Sequence, residues 1–232
     1  MSANLMSLAR SGGKFLKLFG DRKMMKPLPY DAEVEYLEST GTQYIQTDYT
    51  PSIFHNFKAV VAMMDLNDST LSTSLGTAKS EGANGFIPLL VRNNSLTAWQ
   101  VNSFLNISGT TEEVHTITSQ LVQANHYPDY WSYGWYDSGR FIGESYQIKS
   151  GPIVWLGKMT VFACSYDNGN VNRLSKSRFY SFSATDVNSD ELVVDLIPVR
   201  KGTVGYIYDR VSGKLFGNSG AGEFIIGPDK TI

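Results

Sequence analysis

Cysteine is almost missing from this 232-residue chain: Cys164 stands alone, so no disulfide can close within it. Small exported β modules often rely on disulfides, and their absence favours a chain that folds in a reducing compartment such as the bacterial cytoplasm. Cys164 ends the apolar run Met159-Thr160-Val161-Phe162-Ala163-Cys164, where a buried, inert thiol is expected rather than a nucleophile. Long apolar runs are lacking too, and none approaches the ~20 residues of a membrane span. Charge of one sign is not in excess. The 20 Lys and Arg face 22 Asp and Glu, a formal net charge of -2, which argues against a nucleic-acid-binding body.

The familiar catalytic spacings are absent as well. There is no HExxH, no CxxC, no P-loop and no GxSxG, each of which places its groups by a defined local geometry. The three histidines, His55, His115 and His126, have no metal-ligand spacing. His115 is expected to face solvent or to bond locally.

What the sequence does have is strand pattern, most plainly from Arg178 to Pro228. Tyr180, Phe182 and Ala184 alternate with Phe179, Ser181 and Ser183, the period of a half-buried strand. Asp186 to Asp190 is a polar turn, and Leu192 to Pro198 is an apolar run broken only by Asp195. Gly205 to Asp209 and Lys214 to Phe216 follow, joined by Val211-Ser212-Gly213 as a hairpin. Upstream, strands are expected at Tyr44 to Thr47 and at Phe57 to Met64, with Phe57, Ala59, Val61 and Met63 on one face. Asn67 to Gly85 is Ser/Thr/Gly-rich and reads as a long loop with at most a short strand inside it. Gly85 to Arg92 and Ser95 to Trp99 form a hairpin about Asn93-Asn94. Further turns fall at Asp137-Ser138-Gly139-Arg140 and Asp167-Asn168-Gly169-Asn170.

Aromatic residues concentrate between Ala124 and Gly143. Trp131, Tyr133 and Trp135 alternate with Tyr130, Ser132, Gly134 and Tyr136, as in a central strand packed on both faces. Aromatic rings also make platforms for sugar rings, and buried aromatics dominate cores and interfaces alike. Two readings therefore stay open: core packing, or a glycan or partner contact surface formed by Trp99, Tyr127, Tyr130, Trp131, Tyr133 and Trp135.

Residues 1–30 differ from the rest, with six Lys or Arg and one acid, Asp21. Their apolar runs are broken by Lys14 and Lys17, unlike the apolar core of an export signal. Two domains of function are expected: a basic N-terminal tail or anchor over 1–30, and a folded domain over 31–232. The anchor would use Arg10, Lys14, Phe15, Lys17, Phe19, Arg22 and Lys23 against a partner protein, an acidic surface or its own copies.

The blocks "VEYLESTGTQYIQTDYTP", "YSF", "DLIPVR" and "VGYIYDRVSGKLFGNSGAGEFIIGP" resemble the concanavalin A-like (laminin-G-like) jelly-roll modules of gut bacteria and their phages, over about Val34 to Pro228. The resemblance implies an all-β, two-sheet antiparallel jelly-roll sandwich. Glycosidases of that fold carry E-x-D-x-E on one strand to gather carboxylates on one face. Here Glu33, Glu35 and Glu38 lie at the first strand, and Glu191 and Asp195 are four apart, so an enzyme is not expected. No cofactor is required, although relatives of the fold hold calcium and Asp65, Asp68 or Asp137 could serve. The fold alone constrains function weakly. Two functions are expected: a phage virion surface component (capsid decoration, fibre or tail protein) fixed by its N-terminal segment, homo-oligomeric and displaying a lectin-like sandwich, or a carbohydrate-binding or adhesion module at a bacterial cell surface.

Overall fold

A computed structural model describes residues 27–66, 71–79, 85–92, 94–100, 103–123, 130–148 and 157–231. In chain order the first strands are β1 (Ala32–Glu33), β2 (Leu37–Thr40), β3 (Ile45–Gln46), β4 (His55–Met63), β5 (Ser72–Ala78) and β6 (Gly85–Arg92). Next come β7 (Ser95–Gln100), β8 (Ser103–Ile107), β9 (Val114–Gln123), β10 (Tyr130–Asp137), β11 (Arg140–Ile148) and β12 (Thr160–Val161). The last are β13 (Cys164–Tyr166), β14 (Val171–Asn172), β15 (Lys176–Asp186), β16 (Leu192–Lys201), β17 (Val204–Asp209), β18 (Lys214–Phe216) and β19 (Ile225–Ile226). They form two sheets. The larger runs β11-β10-β9-β4-β15-β16-β17-β18, with β1, β2 and β19 at its side, and the smaller runs β14-β13-β5-β6-β7-β8, with β12 and β3. The expected all-β sandwich is what the chain builds. Its pairing is antiparallel except where β13 runs parallel to β5, at Ser165↔Thr77 and Tyr166↔Ala78.

Alternation explains the inner face of the large sheet. On β4, Phe57, Ala59, Val61 and Met63 are all buried, as their period of two requires. Phe57 meets Phe86 of the small sheet edge-on at 4.7 Å, Trp135 of β10 at 5.1 Å and Phe182 of β15 at 6.2 Å. These are favoured aromatic geometries, and they weld the sheets together at the centre. A second aromatic group, Phe162 with Phe179 and Phe224, closes the far side.

Two strands depart from the sequence expectation. On β15 the ladder to β4 steps from Phe179↔Val61 to Ser181↔Val60, leaving Tyr180 as a bulge. The extra residue shifts the phase, so Phe179 and Phe182 both point into the core, where both are buried. Tyr180 instead packs beside Tyr36, ring to ring at 5.6 Å. The second departure is β5, a seven-residue strand inside the stretch read as a long loop with at most a short strand. All seven of its residues are buried. Small side chains suit it because neighbouring backbone comes close: a Cβ on Gly76 would lie 2.6 Å from the Phe86 carbonyl oxygen.

The start of the domain is tied to the β16–β17 hairpin. Ala32 and Glu33 pair with Arg200 and Val199. Asp31 accepts a bond from the Gly202 amide at 2.6 Å, and Arg210 donates to both Glu33 carboxylate oxygens at 2.9 Å. Arg200 grips Asp229 through two bonds of 2.6 Å, a bidentate geometry.

Candidate functional site

The outer face of the large sheet carries polar side chains in the opposite phase of the core strands. The register lines them up across the sheet. Phe141 lies opposite Tyr136, Tyr136 opposite Thr118, Thr118 opposite Lys58, Lys58 opposite Ser183, and Ser183 opposite Asp195. Directly opposed residues have Cβ atoms about 5 Å apart, so this is one continuous row over six strands. A second row beside it brings Gly134 opposite Gln120 and Asn56 opposite Thr185. Between the rows lies a shallow depression of about 350 Å³, lined by side chains from β10, β9, β4 and β15.

Local structure holds several of these groups. Asn56 accepts a hydrogen bond from the Leu121 amide at 2.7 Å, which fixes its carboxamide against the neighbouring strand. Tyr136 packs edge-on against Phe141 with ring centroids 5.5 Å apart. Its ring lies beside Gly134, where a Cβ would sit 3.3 Å from it. The missing side chain makes room for a flat ring on the sheet surface. The depression thus offers hydroxyls, carboxamides, one ammonium and one aromatic ring, a mix of donors, acceptors and an apolar face suited to a polyhydroxylated ligand.

The aromatic residues picked out by sequence lie elsewhere. Tyr133 and Trp135 are corrected: they are buried core, with 1% and 0% exposure, and are not a contact surface. Alternation puts them on the inner face of β10. The Trp135 indole N–H donates to Ser145 Oγ at 3.0 Å, and the Tyr133 hydroxyl donates to the Ile53 carbonyl. Burial raises the Tyr133 hydroxyl well above its usual pKa. Trp99, Tyr130 and Trp131 fall on β7 and β10, with side chains outside the described residues, as are Tyr127 and the anchor residues Arg10, Lys14, Phe15, Lys17, Phe19, Arg22 and Lys23. Sequence reasoning did not single out Lys58, Asn56, Thr118, Gln120, Ser183 or Thr185. The available signal was the polar phase of three strands, two residues apart on each.

The titratable groups are mostly engaged. His115, expected at the surface or in a local bond, is 1% exposed. Its Nδ1 lies 2.8 Å from Asp137 Oδ2, so it is held in the sheet rather than in solvent. Asp65 pairs with Lys176 at 3.4 Å. Asp68 lies outside the described residues, and among the described residues no three His, Cys, Asp or Glu gather as a metal site. His55 sits between the Tyr49 hydroxyl, 3.0 Å from Nδ1, and Asp186, 3.9 Å from Nε2. Burial lowers its pKa against the opposing pull of Asp186. Burial also pushes the Cys164 thiol up to about 12, in keeping with an inert core cysteine. Among the described residues no helix is long and apolar enough to cross a membrane.

No protein-family model matches the chain, and no curated protein does. Two solved structures match the chain weakly. One is NanB with Optactamide, at TM-score 0.40 and 14% identity, covering 82% of this chain and 38% of that one. The other is a point mutant of NanB sialidase from Streptococcus pneumoniae, at TM-score 0.38 and 14% identity, covering 85% and 39%. The chain therefore spans under two-fifths of the length of either structure. The expectation that the chain is not an enzyme is withdrawn as a correction, since one of the two matched structures is a sialidase. Likeness of this degree assigns no activity either.

Proposed function

We propose that this chain is a recognition module on a concanavalin A-like sandwich, which binds oligosaccharide in the depression across β10, β9, β4 and β15. One observation carries the reading: the register-matched row Tyr136, Thr118, Lys58, Ser183, which puts a ring, hydroxyls and an ammonium side by side on an open face. Hydroxyl and carboxamide groups exchange hydrogen bonds with sugar hydroxyls, while the Tyr136 face packs on sugar C–H groups. The basic segment before residue 27 is its attachment to a particle or cell surface, in the manner of a virion component or an adhesion module. The domain begins beside Arg200, five residues along β16 from Asp195 at the end of the row, or about 17 Å.

The test is an oligosaccharide array probed with the full chain and with Tyr136→Ala. Binding that the variant loses while it stays folded supports the reading, and binding that survives the change removes the depression as the site. Light scattering on the chain with and without residues 1–26 tests the attachment role. A self-assembly that depends on the segment supports it, and identical monomers speak against it.

A further inference from the structure

Among the described residues lining the depression, Lys58 is alone in carrying a charge. Three arginines of the large sheet are neutralised: Arg178 by Glu38 at 2.6 Å, Arg210 by Glu33 at 2.9 Å, Arg200 by Asp229 at 2.6 Å. Lys58 is exposed, and no carboxylate of the described residues lies within ion-pair distance of it. The acids that share its face are occupied and distant. Asp195 stands two strands away along the row, about 10 Å, and meets Arg210 at 3.6 Å. Glu144 stands on β11, three strands away or about 14 Å, and accepts from Ser132 at 3.5 Å. An unpaired ammonium flanked by the hydroxyls of Thr118 and Ser183 is therefore a vacant site for one anionic oxygen group, with the ammonium giving the charge-assisted bond and the hydroxyls able to add neutral ones.

Resting on the oligosaccharide reading above, we infer that the ligand is an oligosaccharide bearing a carboxylate, with Lys58 holding the acid and Tyr136 under a neighbouring sugar. Tyr136 is two strands from Lys58 along the same row, about 10 Å. That span exceeds one sugar ring, so the acid and the stacked ring belong to successive units. Charge complementarity selects this class over neutral glycans, since a neutral sugar would leave the ammonium without a counter-charge.

The experiment uses the full chain on an array of carboxylated oligosaccharides, each printed beside its methyl ester, which keeps the backbone and removes the charge. The account expects retention of acids over their esters. A roughly 2- to 5-fold loss is expected with Lys58→Met, in line with an exposed ion pair. Binding should also fall in about 0.5 M sodium chloride, where screening shortens the reach of surface charges. Thermal unfolding of Lys58→Met checks that the exposed position leaves the fold intact, and Lys58→Arg should keep the preference for acids. Esters binding as well as acids, with Lys58→Met unchanged, overturns this inference while leaving oligosaccharide binding standing. No binding of either form by the intact chain, on this array or on a neutral one, overturns both.

Discussion

The two faces of the large sheet are made by the same strands, and they have opposite chemistry. On the inner face β4, β10 and β15 contribute Phe57, Trp135 and Phe182, all buried, with Phe57 in ring contact with the other two. One residue over, the same strands contribute Lys58, Tyr136 and Ser183 to the polar row. Trp135 and Tyr136 are neighbours in sequence and differ in role because successive side chains leave a strand on opposite sides. An aromatic cluster in a sequence is therefore two populations, and phase decides which one holds the fold and which one is left on the surface.

Breaking the inner face should have the largest effect. Trp135→Ala removes a fully buried indole and should cost about 3–5 kcal/mol, read as a large drop in the unfolding midpoint with denaturant. A weaker blow falls on the small sheet's side of the core. Gly76→Val forces atoms against the Phe86 carbonyl and Ile87, 2.6 and 2.7 Å from a Cβ, and should destabilise by about 1–3 kcal/mol through overpacking. The same denaturant curves measure it.

His55 gives the inner face a pH signature. Its pKa in the folded chain lies below the ordinary 6.5, chiefly because burial disfavours the charged ring. Between the folded and unfolded values the unfolded chain binds more protons, so this contribution is present above 6.5 and is lost as pH falls through the window below it. His55→Gln should flatten stability against pH in that window. Asp48 acts lower down: hydrogen bonds from Lys158 and Lys214 hold its carboxyl at about 2 against the usual 3.8. Stability from it is present above 3.8 and is lost as pH falls toward 2, a limb that Asp48→Asn removes and His55→Gln leaves alone. Thermal unfolding across pH separates the two.

On the outer face the stability effects should be smallest. Tyr136→Ala gives up an edge contact with Phe141 on a half-exposed surface and should change stability by about 1 kcal/mol or less.

Much of the sandwich was legible in the sequence because a strand with one buried face must alternate. The inward set on β4, the hairpin at Val211-Ser212-Gly213 and the turn at Asp137-Ser138-Gly139-Arg140 all follow from local rules. The phase of Phe179 was not legible, since a bulge at Tyr180 leaves no mark that alternation can read. Nor was β5, whose Ser, Thr and Gly composition imitates a loop. Those small residues answer to the close approach of β6, which is a tertiary fact. The row on the outer face needed the order β10-β9-β4-β15, and that order joins strands from distant parts of the chain. Each strand's polar phase was visible on its own. Their alignment into one row became visible only with the register.

The most direct measurement is Tyr136→Ala set beside Trp135→Ala, each assayed in one preparation for denaturant unfolding and for binding to the oligosaccharide array. The account predicts that the Tyr136 variant unfolds close to the unaltered chain and loses its array signal, while the Trp135 variant loses stability first. A Tyr136 variant that keeps full binding, or that unfolds alongside the Trp135 variant, would contradict the division of this sheet into a structural face and a recognition face.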